Sequence, residues 1–254
     1  MEPVVEVENL NLIIEGRRIL KNVSFKINKG EIFTILGGSG SGKTTITKCI
    51  VGLLKPTSGS IKVFGKEINK INPLELNSLR KEIGYVFQGA ALFDSLKVWE
   101  NVVFYYLEHS NMKEEELKEI ALTYLKMVSL GEHTLELYPS ELSGGMKKRV
   151  GIARAIATQP KLVIYDEPTS GLDPITSRLI DNLIKELRDK TSSTALVVSH
   201  DMVSAFTISD RIMILKEGEV VFIGTPQEVL ESQNPFVKEF LKSGLGELQA
   251  INRG

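Results

Sequence analysis

A near-continuous apolar run, Ile32-Phe33-Thr34-Ile35-Leu36, gives way at once to Gly37-Gly38-Ser39-Gly40-Ser41-Gly42-Lys43-Thr44-Thr45. No other feature restricts the fold as tightly. Such a run suits a strand buried on both faces of a parallel sheet. The glycine-rich stretch fits the pattern G-x-x-x-x-G-K-[ST]. Glycines at Gly37, Gly38, Gly40 and Gly42 let backbone N–H groups turn inward around phosphate oxygens, with Ser39 and Ser41 between them. The helix that follows adds its N-terminal dipole. Lys43 places a charge near the β- and γ-phosphates, and the Thr44 hydroxyl suits Mg²⁺, with Thr45 beside it. Strand, loop and helix together point to a nucleoside triphosphate held by an α/β domain.

The N-terminal third reads as strands. Val4 to Val7 and Val23 to Ile27 carry alternating apolar residues, and Ile13 to Leu20 resembles a hairpin around Glu15-Gly16. A helix is expected from Thr44 to Leu53 and a strand over Ile83 to Phe87. Between residues 89 and 160 the pattern turns helical. Lys113 to Val128 places Leu117, Ile120, Ala121, Tyr124, Leu125 and Val128 on one 3.6-period stripe. Core strands return at Leu162 to Tyr165 and Ala195 to Val198, joined by a helix from Pro174 to Asp189. A hairpin at Ile212 to Ile223 and short helices at Pro226 to Leu230 and Pro235 to Leu241 complete the reading. The expectation is one domain over residues 1–242, with a helical part at 89–160 inserted, and a short tail at 243–254.

Ligands of open α/β sheets sit beyond the carboxyl ends of strands. Asp166 and Glu167 end one apolar strand, and adjacent carboxylates at a core edge are costly unless they have work to do. Asp166 suits Mg²⁺ held through its water shell. Glu167 suits the polarisation of an attacking water. Gln88 follows another strand, so its amide oxygen can meet Mg²⁺ and sense the γ-phosphate. His200 follows a third strand and can donate to the γ-phosphate. His109 and His133 read as structural. Ser143 is a natural N-cap for a helix from Met146 to Ala157. Gly144 and Gly145 expose that helix end to an anion. Because the glycine-rich loop already surrounds its own nucleotide, this second anion site makes best sense for the nucleotide of another subunit.

Composition narrows the function. Hydrophobic residues make up 42% of 254, enough for a sizeable core. Lys plus Arg number 31 against 32 Asp plus Glu, so there is no basic excess of the kind a nucleic-acid binder carries. A single cysteine, Cys49, excludes an intramolecular disulfide and reads as a small buried hydrophobe. No run of about 18 apolar residues suggests a membrane span, and the N-terminus does not resemble a signal peptide. A cytoplasmic protein is the expectation, with any membrane role exerted through a partner.

The motifs, in their order and rough spacing, resemble those of the ATP-binding cassette (ABC) ATPases: the P-loop, Gln88, Leu142-Ser143-Gly144-Gly145-Met146, Leu162 to Glu167, Ser170-Gly171-Leu172-Asp173 and His200. The resemblance spans nearly the whole chain. It implies a P-loop NTPase (RecA-like) core with an antiparallel β subdomain and an inserted α-helical subdomain. It also implies a head-to-tail dimer holding two ATP molecules with Mg²⁺. Ser143 to Gly145 would face the γ-phosphate bound by the second copy's Lys43, and Asp173 would lie at the dimer seam. Two positions depart from the family pattern. Met146 stands where Gln is commoner. Ile14 occupies the place of an adenine-stacking aromatic, leaving Ile14 and Arg17 to cover the base.

Val86-Phe87-Gln88-Gly89-Ala90-Ala91-Leu92-Phe93-Asp94-Ser95-Leu96 is similar to the ATPases of the lipid-asymmetry (Mla-type) phospholipid transporters. Those work with a multi-span permease and MCE-type lipid-binding proteins. That likeness implies a peripheral subunit at the inner face of the cell membrane. A soluble ABC ATPase of the iron–sulfur assembly type and the ATPase of a different small-solute importer fit the same motifs. A DNA-repair type does not, because the stretch from Thr45 to Asp166 carries no CxxC pair and no sustained heptads.

Overall fold

The computed structural model describes residues 3–251. They form two compact units. One contains the residues up to Arg80 and those from Thr194 onward, and the other is Lys81–Ser193.

The first unit opens with β1 (Pro3–Ile14) and β2 (Arg17–Asn28), an antiparallel pair. Glu15 and Gly16 both have positive φ, 48° and 76°. This two-residue turn matches the twist of its strands, so the hairpin forms where the sequence placed it. β3 (Ile32–Leu36) is buried at every residue. α1 (Lys43–Ile50) follows the glycine-rich loop. The helix read as reaching Leu53 stops at Ile50. Gly52, at φ 70°, turns the chain, and the N–H groups of Leu53 and Leu54 donate back to the Lys48 carbonyl, a glycine-based helix stop. β4 (Ser58–Val63) and β5 (Lys66–Glu67) complete a four-stranded antiparallel sheet in the order β2-β1-β4-β5. α2 (Pro73–Arg80) ends this part of the chain.

The second unit begins with β6 (Ile83–Val86). A helical stretch follows: α3 (Val98–Val102), α4 (Phe104–His109), α5 (Glu114–Met127) and α6 (Gly144–Ile156). On α5 the expected stripe holds, with Leu117, Ala121 and Leu125 buried. β7 (Leu162–Asp166) returns parallel to β6, and α7 (Pro174–Thr191) closes the unit.

The chain then resumes the first unit with β8 (Thr194–Ser199), α8 (Met202–Ile208), β9 (Arg211–Lys216), β10 (Glu219–Gly224), α9 (Pro226–Leu230) and α10 (Pro235–Ile251). β3 lies between β8 and β9 and is parallel to both, and β10 is antiparallel to β9. Val237 and Leu241 of α10 pack into a cluster with Leu36, Ile212, Ile214 and Val229. The helix read as 235–241 therefore continues to Ile251, into the segment read as a tail. Met1, Glu2 and residues 252–254 lie outside the described residues. Among the described residues no helix is long and apolar enough to cross a membrane. The α/β fold with an antiparallel β sheet and a helical insertion is thus the one observed.

Candidate functional site

In the first unit the parallel register of β3 on β8 aligns Leu36 with Ser199. Both strands deliver their carboxyl ends to one edge. The Gly37 N–H donates to the Ser199 carbonyl at 3.3 Å, so His200, which is exposed, leaves the sheet beside the start of the glycine-rich loop. The β9–β10 turn braces that loop. Gly218 N–H donates to the Ser41 carbonyl at 2.9 Å. A Cβ on Gly37 would lie 2.4 Å from the Leu215 carbonyl oxygen, so only glycine fits there.

Lys43 is buried, and its ammonium donates to the carbonyls of Gly37 (2.8 Å) and Gly38 (3.0 Å). The charge is thereby held over the loop. Gly40 and Gly42 adopt φ of 74° and 104°, and a side chain at Gly38 or Gly40 would meet open space. Ser41 Oγ is buried without a hydrogen-bond partner. An open glycine cradle with a fixed ammonium and an unsatisfied hydroxyl fits a phosphate chain. Ile14 and Arg17, paired across the β1–β2 turn, are exposed.

In the second unit the parallel pair β6 and β7 aligns Val86 with Tyr165. Gln88 and the Asp166-Glu167 pair therefore emerge from one sheet edge. Gln88 is exposed, and its amide nitrogen donates to Ser170 Oγ at 3.3 Å. Asp166 and Glu167 are both buried, at 6% and 8% exposure. Asp166 accepts from the Tyr85 hydroxyl at 3.1 Å. Glu167 has φ 50°, a left-handed conformation uncommon for a non-glycine residue.

Ser143 is the N-cap of α6, its hydroxyl accepting from Met146 N–H at 3.2 Å. Ser143 and Gly144 are exposed and Gly145 is buried. A Cβ on Gly145 would come within 2.7 Å of Thr176 Cγ2 on α7. Asp173 caps α7, accepting from Ile175 N–H and Thr176 N–H at 3.0 Å and from the Thr176 hydroxyl at 2.5 Å. The Thr176 hydroxyl bond, with the backbone bonds, holds the Asp173 carboxyl below the usual carboxylate range. The two motifs are thus neighbours at the start of adjacent helices. The expected residues fall into two sets. The loop 37–45 and His200 belong to the first unit, and Gln88, Ser143 to Gly145, Asp166, Glu167 and Asp173 belong to the second.

Sequence reading missed Lys148. It is buried on α6, and its ammonium donates to the main-chain carbonyls of Gln88 and of Glu167, the latter at 3.2 Å. Burial lowers its pKa below the ordinary lysine value, while the carboxylates of Glu167 and Asp166 act against that. Tyr85, read only as a strand residue, was the second omission. Hard oxygen donors suit Mg²⁺, which typically takes one or two carboxylates plus substrate phosphates. Asp166, the Thr44 hydroxyl and the Gln88 amide oxygen are donors of that kind.

Residues 20–170 match the ABC transporter family. The chain belongs to that family and is an ATP-binding, ATP-hydrolysing cassette. It is 40% identical, over 94% of its length and 90% of the relative's, to the intermembrane phospholipid transport system ATP-binding protein MlaF of Haemophilus influenzae. It is 42% identical to the methionine import ATP-binding protein MetN of Carboxydothermus hydrogenoformans, over 94% of this chain and 72% of that one. Among solved structures it superposes on the dimeric post-hydrolysis state of the ATP-binding cassette MJ0796 bound to ADP and Pi. The TM-score is 0.79 at 37% identity, covering 87% of this chain and 98% of that one.

Proposed function

We propose that this chain drives a multi-span permease for phospholipid, acting with a second copy of itself in a head-to-tail pair that closes on two ATP molecules. The observation that carries the lipid reading is the 40% identity to a phospholipid-transport ATPase over nearly the full length of both chains. The segment Val86 to Leu96 agrees with it. The dimeric arrangement of a related cassette supports the pairing.

In this reading Gly37 to Thr45 cradle the phosphates and Lys43 neutralises them. Thr44, Gln88 and Asp166 would hold Mg²⁺, which would screen phosphate charge. Glu167 takes a proton from the attacking water. His200 donates to the γ-phosphate and fixes its orientation. Ser143, Gly144 and Gly145 of one copy approach the ATP held by the other, with each Asp173 at the seam. Ile14 and Arg17 cover the adenine. Docked on its permease, the subunit works at the cytoplasmic face of the membrane, with an MCE-type lipid-binding protein as a further partner of the assembly.

The test is reconstitution of the chain with its permease in vesicles. ATP-dependent transfer of labelled phospholipid, lost when Lys43→Ala replaces the wild type, is the expected result. The likeness to MetN sets the competing outcome. ATP-dependent methionine uptake with no lipid movement would reassign the substrate and leave the ATPase intact.

A further inference from the structure

One face of α6 touches the backbone of the segment that follows Gln88. Lys148, Gly151 and Arg154 are spaced three residues apart, so they share a side of the helix. Lys148 reaches the Gln88 carbonyl and the Glu167 carbonyl. At Gly151 a Cβ would approach the Ala90 Cβ to 3.3 Å, so the helix backbone lies close to that residue. Arg154 donates from Nη2 to the Ala90 carbonyl and from Nη1 to the Ala91 carbonyl, both at 2.8 Å.

The residues held this way share an unusual backbone. Ala90, Ala91 and Glu167 have φ of 62°, 48° and 50°. None is glycine, and non-glycine residues in this region are strained. Such strain persists only where the surroundings over-determine the conformation. Here each of the three strained residues gives its carbonyl to a cation of α6. Lys148 is 6% exposed, and its ammonium donates to main-chain carbonyls. A charge taken out of water for that purpose fixes a backbone.

We propose that Lys148 is a positioning residue for hydrolysis. Its ammonium ties the backbone of the γ-phosphate sensor Gln88 to that of the base Glu167, and ties both to the helix that begins at Ser143. Glu167 is thereby held in the left-handed conformation that aims its carboxylate. The sensor, the base and the helix capped by Ser143 are thereby joined through one ammonium. Lys148 touches no reacting atom. It acts through Glu167 and Gln88, and the proposal rests on the reading of Glu167 as the base.

The test uses the full-length chain and five proteins: wild type, Lys148→Met, Lys148→Gln, Lys148→Arg and Glu167→Gln. Steady-state kcat and KM for ATP are measured, with the Kd for a fluorescent ATP analogue. Lys148→Met keeps the side-chain length and removes the donors. Its kcat should fall at least ~10-fold while Kd stays within ~3-fold of wild type, because misplacement of a reacting group by about 1 Å costs up to ~100-fold in rate without loss of binding. Lys148→Arg, which restores a buried cation, should recover most of that loss. If Lys148→Met fails to fold, Lys148→Gln carries the same comparison, because its neutral amide removes the buried charge and ends one bond short of the lysine nitrogen. A wild-type kcat in the Met or Gln variant overturns the proposal. So does a loss of kcat matched by an equal loss of affinity, or an Arg variant as slow as Met. The Glu167→Gln arm separates the two ideas. Full turnover there removes the base and the proposal with it. Loss of turnover there beside full turnover in Lys148→Met removes the positioning role alone.

Discussion

The Tyr85 hydroxyl donates to Oδ2 of Asp166 at 3.1 Å, across the parallel pair β6 and β7. Asp166 is the last residue of its strand and is buried. A carboxylate out of water needs hydrogen bonds to stay charged, and the phenol supplies one while fixing the plane of the group. Groups that orient a metal-binding carboxylate typically set affinity by ~10–100-fold. Tyr85→Phe should therefore raise the Mg²⁺ concentration for half-maximal hydrolysis about 10-fold. At saturating Mg²⁺ the rate should return close to wild type. A Mg²⁺ titration of ATPase activity checks this, and an unchanged midpoint would count against Asp166 as the metal carboxylate.

Glu167 carries the sharpest chemical prediction. Glu167→Gln keeps the size and the hydrogen-bonding shape but removes the base. Turnover should fall ~10²-fold or more, the range for loss of a general base, while ATP still binds. A filter-binding measurement beside a turnover assay separates the two. Lys43→Ala should behave differently. Lys43 is buried against the Gly37 and Gly38 carbonyls, where it can meet phosphate as a charge-assisted donor, so affinity itself should drop. Near-wild-type turnover in Glu167→Gln would end its assignment.

How far these sites could be read in advance depended on what holds them. The loop from Gly37 to Thr45, the Glu15-Gly16 turn and α9 over Pro226–Leu230 were legible, because local chemistry fixes each. β4 was not. Glycine is a residue type that favours turns, yet at Gly59, with φ 95°, a Cβ would strike the Asn9 carbonyl oxygen at 2.4 Å. Close approach of β1 selects the glycine, and sequence spacing does not reveal that. α2 escaped notice because Leu79 is its one buried residue. α8 was hidden behind His200, although Asp201 caps it by accepting from Ser204 N–H at 3.0 Å. Lys148 and Arg154 read as ordinary cations on a helix. Their partners are main-chain carbonyls, and a carbonyl has no letter in the sequence.

Cys49 lies wholly buried on α1, and burial pushes its thiol up to about 11. A thiol alkylates through its thiolate, so the native protein should resist maleimide at pH 8 and react fully once unfolded in guanidinium. The sign for stability follows. The folded value lies above the unfolded one, so this contribution is complete below pH 9 and fades as pH rises toward about 11. Cys49→Ala should flatten that part of the stability profile. Rapid labelling of the folded wild type at pH 8 would show that α1 opens easily.

Ser143 tests whether the site is shared between two copies. Its side chain caps α6 through Met146 N–H and stands exposed beside Gly144. Replacing it with Ala would remove little beyond the cap, worth about 1 kcal/mol. Ser143→Arg adds bulk and charge at the helix end. If that end serves the other copy's ATP, Ser143→Arg should bind nucleotide normally and fail to hydrolyse it. Pairing decides the geometry. A dimer of one Ser143→Arg chain and one Lys43→Ala chain concentrates both lesions at one composite site and leaves the other intact. Differently tagged chains purified as that heterodimer should show hydrolysis that neither pure variant has. If Ser143 instead served its own chain's ATP, each site of the heterodimer would carry one lesion and no activity would return. Full activity of pure Ser143→Arg with the permease present would remove Ser143 from the site altogether.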